Sequence, residues 1–224
     1  MRFIKIQAYN GIDNESSLSD ETIIIRRYPA PLSTTTSSFA FSFIGETGTI
    51  TPPQILNRIG DCDVIAQWSN STQGWESIGN MPALHGGWEN SSYPFEKSEP
   101  FILNSTDNLE DVFLVKNIDM NTYVTPTYTV SVGTAVTGHS YTMVTVPYNT
   151  AITNEVQLMS SIWTDDVLTV SSEITVSKLD QKNQVWETYS YDGSGDGDSF
   201  AIYPGDVIKV GAVGAVAATF DWQE

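Results

Sequence analysis

Short stretches in which apolar and polar residues alternate recur along the chain, and a period of two residues is typical of half-buried β-strands. The clearest stretch is residues 39–43, where Phe39, Phe41 and Phe43 fall on one face. Residues 141–145 alternate less cleanly, because apolar side chains occupy both faces, which predicts a strand that is buried on both sides. The pattern therefore favours a mainly β protein.

Two segments instead show the pattern of short amphipathic helices. In the first, Thr51 is a candidate N-cap, and Pro52 occupies the first helical position, where its missing N–H costs nothing. In the second, Thr153 or Asn154 is the candidate cap, and Glu155 favours the positive end of the helix. The apolar side of the second helix is predicted to consist of Val156, Met159, Ile162 and Trp163. Both helices span about two turns, so they are stable only when they pack on a sheet.

The same order of elements occurs twice along the chain. An alternating strand, a short helix, a strand, a Trp-Glu pair and two apolar strands run from residue 39 to 115 and again from 141 to 210. The positions that correspond in this alignment are Trp75 and Trp186, residues 101–103 and 200–202, and residues 111–115 and 206–210. This repeat predicts two related modules of ordinary domain size.

The predicted fold is thus mainly β (α+β), with two tandem related small-sheet modules that each carry one short helix, preceded by N-terminal strands. Pro29-Ala30-Pro31 breaks the chain before the first module, and a stretch rich in Thr and Val separates the two. The predicted divisions are an N-terminal lead-in of strands at 1–37, module 1 at 38–120, an extended linker at 121–138 and module 2 at 139–224.

Module 2 carries a series of short motifs around its helix. In order, they are Val146-Pro147, then Trp186-Glu187-Thr188-Tyr189, then Phe200-Ala201-Ile202-Tyr203-Pro204-Gly205. The series resembles a β-rich module that recurs in bacterial and archaeal cell-surface proteins, and the resemblance covers residues 140–222. Module 1 departs from it, since Trp75-Glu76-Ser77-Ile78 lacks the second aromatic residue and residues 104–110 replace Pro-Gly. The resemblance implies a structural role at a cell surface and no particular reaction.

The composition restricts the partners that we expect. With 27 acidic and 10 basic residues the net charge is −17, so the clustered cations that bind nucleic acid or an anionic membrane are missing. No apolar run reaches the roughly 18 residues of a transmembrane helix. Cys62 is the only cysteine, which excludes a disulfide within the chain. Because the first residues predict a strand and not a signal peptide, a leader is expected to be absent or already removed.

Residues 192–198 alternate acidic or hydroxyl side chains with glycine, which suits calcium because this cation takes oxygen ligands. The candidate metal ligands are Asp192, Ser194, Asp196 and Asp198. An EF-hand is excluded, since Tyr203 stands where a bidentate Glu is needed. Either this segment binds Ca2+, the one cofactor that the sequence suggests, or it is a hairpin loop without a ligand.

Tryptophan and tyrosine are dense between residues 68 and 93. Exposed aromatic rings stack on sugar rings, so this region is a candidate carbohydrate-binding surface. Its proposed contact residues are Trp68, Trp88 and Tyr93. Trp75 and Trp186 are instead expected to be core residues, because they occupy corresponding places in the repeat.

Other candidate sites are isolated side chains and short motifs. The N-x-S/T sequons, which are glycosylation acceptors in exported proteins, start at Asn14, Asn70, Asn90 and Asn104. His85 and His139 have no second histidine at metal-binding spacing. Asp165-Asp166 and Glu110-Asp111 are adjacent carboxylates, which point to opposite faces of a strand and not across a cleft. We therefore expect no enzymatic activity.

The sequence predicts a non-enzymatic structural protein that assembles with copies of itself into a filament, a surface layer or a virion component. The expected location is extracellular or at a cell surface, with a virion as the alternative. An N-terminal strand could complete the sheet edge of a neighbouring copy. The residues proposed for this assembly strand are Phe3, Ile4, Ile6 and Ala8. The alternative function is a carbohydrate-binding or adhesive module, with glycans as partners of the aromatic residues.

Overall fold

The computed structural model describes residues 2–4, 21–28, 37–43, 48–59, 62–81, 87–97, 99–105, 112–119, 123–163, 167 and 170–223. Strands dominate these ranges, which confirms the prediction of a mainly β protein. The described strands are β1 (Arg2–Ile4), β2 (Glu21–Tyr28), β3 (Ser37–Phe41), β4 (Thr49–Ile50), β5 (Val64–Ser69), β6 (Gly74–Met81), β7 (Gly87–Trp88), β8 (Phe95–Glu96), β9 (Phe101–Ser105), β10 (Val112–Asp119), β11 (Tyr128–Thr134), β12 (Ser140–Thr145), β13 (Glu173–Asp180), β14 (Val185–Tyr191), β15 (Gly195–Gly197), β16 (Val207–Gly214) and β17 (Ala218–Trp222). The described helices are α1 (Pro52–Ile59) and α2 (Glu155–Ile162).

The N-terminal strands form a three-stranded antiparallel sheet in the order β1-β2-β10. β2 pairs with β10 along its whole length, from Glu21 opposite Asp119 to Tyr28 opposite Val112. The pairing corrects one correspondence in the sequence alignment. Residues 112–115 lie in this sheet, so they are not the counterpart of residues 206–210, which pair elsewhere.

The middle sheet has the strand order β3-β9-β5-β6-β7, and the β4–β8 ladder lies beside it. Phe39 and Phe41 are opposite Leu103 and Phe101, so the alternation in the first strand directs these positions to one face. That face and helix α1 enclose a core. Its buried residues are Phe43, Ile50, Ile55, Cys62, Ile65, Phe95, Phe101 and Leu103.

The C-terminal sheet has the order β15-β14-β13-β16, and β16 also pairs with β12. The last residues of β16 pair with β11, which continues the sheet to β17. Val130 and Val132 of β11 are buried in its core, although they lie in the segment predicted to be a linker. The other core residues include Val144, Leu158, Ile162, Ile174, Val176, Ile208 and Val210.

Both helices begin at caps that the sequence encodes. At α1, the side chain of Gln54 accepts a hydrogen bond from the N–H of Thr51 at 3.0 Å. At α2, the cap is Asn154, whose Oδ1 accepts from the N–H of Gln157 at 2.9 Å. Each bond satisfies a donor that the first helical turn leaves without a backbone partner.

The buried side of α2 differs from the predicted one. Leu158, Met159 and Ile162 are buried, whereas Val156 is 49% exposed. The side of α2 that carries residues 158 and 162 faces the sheet. Since one sheet covers only part of a helix surface, Val156 and Ser160 remain on the outer side.

The middle and C-terminal sheets pack face to face. Their junction buries Ala40, Met143, Leu179 and Val207, with Trp68, Ile102 and Trp186 packed against them. A comparison of the strand orders β3-β9-β5-β6-β7 and β12-β16-β13-β14-β15 makes β9, and not β10, the counterpart of β16. Contrary to the sequence alignment, residues 101–103 are therefore not the counterpart of residues 200–202. Neither described helix is long and apolar enough to cross a membrane.

Candidate functional site

The proposed assembly strand is described only in part. Phe3 and Ile4 lie in β1, opposite Ile24 and Ile23 of β2, while Ile6 and Ala8 lie outside the described residues. Among the described residues, β1 pairs with β2 through three residue pairs, whereas β10 covers all of β2. This segment is therefore the more weakly held edge of the N-terminal sheet.

The C-terminal sheet ends at β15. All three residues of β15 are exposed, and they pair with residues 189–191 of β14 on the inner side. A Cβ on Gly195 would overlap the hydroxyl of Tyr189, so a larger residue there would displace this side chain. The outer side of β15 pairs with no described strand. Its backbone groups are therefore available for a further strand.

A groove of about 250 Å³ with a mixed polar and apolar lining lies beside this edge, between α2 and β14. It is lined by Val156, Met159, Ser160, Trp163, Tyr189 and Tyr191. Trp163 and Tyr191 pack edge to face, with ring centroids 5.0 Å apart. Aromatic rings of this kind offer apolar contact area together with polar groups. We call β15 and this groove together the edge–groove site.

The sequence interpretation did not identify the edge–groove site. Val156 and Trp163 were assigned to the packed side of α2, and Tyr189 to a surface-protein motif. One signal was present, because α2 carries apolar residues around more of its circumference than a single sheet covers.

The loop with the predicted calcium ligands is closed by hydrogen bonds within the chain. The N–H and the hydroxyl of Ser194 donate to Asp192 Oδ1 at 3.2 and 3.1 Å, and these bonds hold the pKa of Asp192 below its ordinary value. Asp198 Oδ2 accepts from the N–H of Thr188 at 2.9 Å. In the described part of the chain, no three His, Cys, Asp or Glu side chains are grouped to hold a metal ion. Calcium binding stays a prediction, and the observed carboxylate contacts stabilise a hairpin.

The three aromatic residues proposed for carbohydrate binding lie on opposite faces of the middle sheet. Trp68 faces the C-terminal sheet, and its Nε1 donates to the carbonyl oxygen of Tyr141 at 2.8 Å. Trp88 and Tyr93 pack against the core on the other face. The hydroxyl of Tyr93 donates to Glu76 at 2.6 Å, and this bond raises the pKa of Tyr93. The three rings therefore do not form one platform.

Trp75 is more exposed than its place in the repeat suggests. It is 42% exposed and packs edge to face on Trp68, with ring centroids 5.2 Å apart. Trp186 is partly buried at the junction, where Lys209 Nζ lies 4.6 Å from its ring centroid. The expectation of a core position is therefore wrong for Trp75.

The remaining candidate residues are dispersed. Asn70 and Asn90 are exposed in turns, and Asn14 lies outside the described residues. Asn104 is partly buried in β9, where its Oδ1 accepts from the hydroxyl of Ser38 at 2.7 Å. His139 Nε2 lies 3.5 Å from Glu173 Oε1. His85 and the residue pairs 110–111 and 165–166 lie outside the described residues.

Among the described residues, the edge–groove site joins an unpaired strand edge to a groove lined by aromatic rings. The predicted calcium ligands lie in a hairpin loop, and the aromatic residues predicted to bind carbohydrate pack against a core or at the junction between the sheets. No protein-family model, no curated protein and no solved structure matches this chain.

Proposed function

We propose that this is a non-enzymatic structural protein that assembles with copies of itself, and that each copy accepts a strand of its neighbour at the edge–groove site. The observation that supports this function is that no described strand pairs with the outer side of β15, which lies beside a groove lined by aromatic rings. In β-augmentation, main-chain hydrogen bonds to a sheet edge provide affinity, and pockets for alternate side chains provide specificity.

The strand that we propose as donor is the segment 2–8. Ile4, Ile6 and Ala8 recur with a period of two, so an extended segment presents them on one face and Lys5 on the other. The two faces of the acceptor strand differ in a complementary way. Its groove face carries tyrosines, whereas Asp196, paired with Ser190, lies on the opposite face.

Charge and stability both favour this donor. Arg2 and Lys5 are two of only ten basic residues in a chain of net charge −17, and the acceptor edge lies in a loop with three aspartates. Opposite charges across an interface favour encounter and fix the register. Release of β1 from its three pairs with β2 costs far less than release of β10.

The donor and acceptor surfaces differ, so the contact between copies is heterologous. A heterologous contact produces a closed ring or an open filament, according to the rotation between neighbours. The resemblance of residues 140–222 to cell-surface modules suggests where such a polymer acts. An outer layer, a filament and a virion component all agree with this geometry.

The test compares variants of the full chain by light scattering and electron microscopy. Val156→Glu introduces a charge into the groove and should raise the concentration needed for assembly at least about tenfold, as expected when an interface anchor is lost. Val124→Glu is the matched control, because Val124 is an exposed valine outside the site. It adds the same charge and should leave assembly unchanged.

A charge exchange tests the identity of the donor. Asp196→Lys should weaken assembly, and a second change, Lys5→Glu, should restore it in the same chain. The proposal is contradicted if the unmodified protein stays monomeric at every accessible concentration. Equal assembly of the Val156→Glu and Val124→Glu variants would contradict it as well.

A further inference from the structure

Two glutamines occupy an unusual backbone conformation. Gln73 ends the turn between β5 and β6, and Gln184 ends the turn between β13 and β14. Their φ angles are 51° and 58°, and no other non-glycine residue among those described has a positive φ. Glycine is favoured at such left-handed positions because it has no Cβ. A glutamine at both turns therefore points to a requirement for the side chain.

The amide of Gln73 connects its turn to the opposite sheet. Its Nε2 donates to the carbonyl oxygen of Asn70 at 2.9 Å and to that of Tyr141 at 3.2 Å. Its Oε1 accepts from the N–H of Tyr141 at 2.6 Å. Tyr141 lies in β12, so the glutamine bonds to this strand as a neighbouring strand would.

Gln184 makes the equivalent three bonds, and they connect the C-terminal sheet to the middle sheet. Its Nε2 donates to the carbonyl oxygens of Gln181 at 2.5 Å and Ser38 at 3.0 Å. Its Oε1 accepts from the N–H of Ser38 at 2.5 Å. Ser38 lies in β3, the edge strand of the middle sheet. Each hairpin turn is thus bonded to the edge strand of the opposite sheet, which is β12 for Gln73 and β3 for Gln184.

The strand register shows that the two contacts are equivalent. In each sheet the register can be followed from the hairpin (β5–β6 or β13–β14) through the next strand (β9 or β16) to the edge strand (β3 or β12). The equivalent pairs are Trp68 and Leu179, Trp75 and Trp186, Ala66 and Ser177, Ile102 and Lys209, and Ala40 and Met143. Ser38 precedes Ala40 by two residues, and Tyr141 precedes Met143 by two residues. Gln73 and Gln184 therefore contact equivalent positions.

The junction between the sheets has the same symmetry. Ala40 and Met143 both lie in its buried cluster, as equivalent residues do near a two-fold axis. Ser42 and Thr145 are the next equivalent pair along these strands. Both residues are buried. Symmetry-related burial of this kind indicates that one interface geometry is used twice.

We infer that the middle and C-terminal sheets are related by an internal two-fold axis, and that Gln73 and Gln184 close edge strands β12 and β3 against strand addition by a second copy of this chain. Each amide occupies both the N–H and the carbonyl that an added strand would need. The inference concerns edges that are covered within the monomer. It therefore does not depend on the function proposed for the edge–groove site.

Amide hydrogen exchange measured by NMR on the full chain tests each contact separately. In Gln73→Ala, the N–H of Tyr141 should exchange about fivefold faster, as expected for the loss of one hydrogen bond, while that of Ser38 is unchanged. Gln184→Ala should give the converse result. Gln223→Ala is the matched control, since Gln223 Nε2 donates to the carbonyl oxygen of Thr125 and to neither edge. Both amides should keep their protection in this variant.

The glycine variants separate the side chain from the backbone. Gln73→Gly and Gln184→Gly keep the left-handed turn without a steric cost, so these variants are expected to fold. If the glutamines served only the turn, glycine would leave both amides protected, and this result would overturn the inference. Faster exchange at the edge residues in the glycine variants supports it.

Association of copies is measured in the Val156→Glu background, where the edge–groove site is changed. The double variant Gln73→Gly/Gln184→Gly should associate at concentrations where the Gln223→Ala variant stays monomeric. A double variant that remains monomeric alongside the control would show that these edges do not need protection. This comparison keeps a failure of the inference distinct from a failure of the proposed function.

Discussion

At the scale of single residues, equivalent positions in the two sheets carry different chemistry. Lys178 forms a 2.9 Å ion pair with Asp206, which is buried. Gln67 takes the equivalent place in the middle sheet, and its Nε2 donates to the carbonyl oxygen of Glu96 at 2.6 Å. The nearby carboxyl of Glu99 is partly buried, and this burial, together with the charge of Glu96, raises the pKa of Glu99.

Glu99→Gln should stabilise the protein at neutral pH. A raised pKa means that folding favours the protonated form, so the associated stability is present below the ordinary value of 4.5 and is lost as the pH rises through the folded pKa. We expect the Tm at pH 7 to increase by roughly 2–4 °C, and the gain to shrink towards pH 4. Circular dichroism melts across this range provide the measurement.

Asp196→Asn is the control for Glu99→Gln. It removes the same charge from a fully exposed position, so a general reduction of the charge of −17 would stabilise both variants equally. Equal increases in Tm would show that the location of Glu99 makes no contribution of its own to the stabilisation. A gain confined to Glu99→Gln identifies burial of its carboxylate as the cause.

At the scale of elements, local sequence rules were reliable where one residue type sets a boundary. Pro52 begins α1, and Asn154 caps α2. The rules were weaker for orientation, since α2 buries Leu158 and exposes Val156. A cap is a contact between near neighbours, whereas the buried face depends on which sheet the helix meets.

Asn154→Ala should lower the free energy of unfolding by about 1 kcal/mol, because the N–H of Gln157 loses its side-chain acceptor. Asn154→Asp keeps an acceptor at the cap and should retain most of the stability. Urea unfolding followed by tryptophan fluorescence measures the difference. Similar losses in both variants would mean that the amide nitrogen of Asn154, and not its oxygen, is important.

At the scale of the whole molecule, a strongly acidic surface opposes contact between copies. The charge of −17 is distributed over one small molecule, so repulsion between copies extends over the Debye length. In the proposed assembly, the cationic segment 2–8 and the groove offset this repulsion. Assembly through them should therefore depend on ionic strength.

An increase from about 20 mM to about 500 mM NaCl should promote assembly, because screening removes the repulsion between whole molecules while apolar burial remains. Sedimentation velocity at matched protein concentrations measures the assembled fraction. The Val156→Glu variant should stay monomeric at both salt concentrations. Dissolution of the assemblies by salt would instead mean that ion pairs dominate the interface.

The sequence by itself determined the secondary-structure class, the positions of both helices and the cap of α2. These features depend on contacts between near neighbours and on the two-residue period of a strand. The alignment of the repeat was wrong at residues 101–103 and 111–115, because apolar β-strands resemble one another and only pairing distinguishes them. That the two helices correspond stays a prediction.

Tertiary structure alone decided the sheet orders, the exposure of Trp75, the edge–groove site and the contacts of Gln73 and Gln184. Each of these brings together residues that are far apart in the chain, as with Gln184 and Ser38. Their pairing depends on which sheet faces cover one another. The hydrophobic pattern of a single strand or helix indicates that one of its faces is buried, but it does not indicate which other element buries that face.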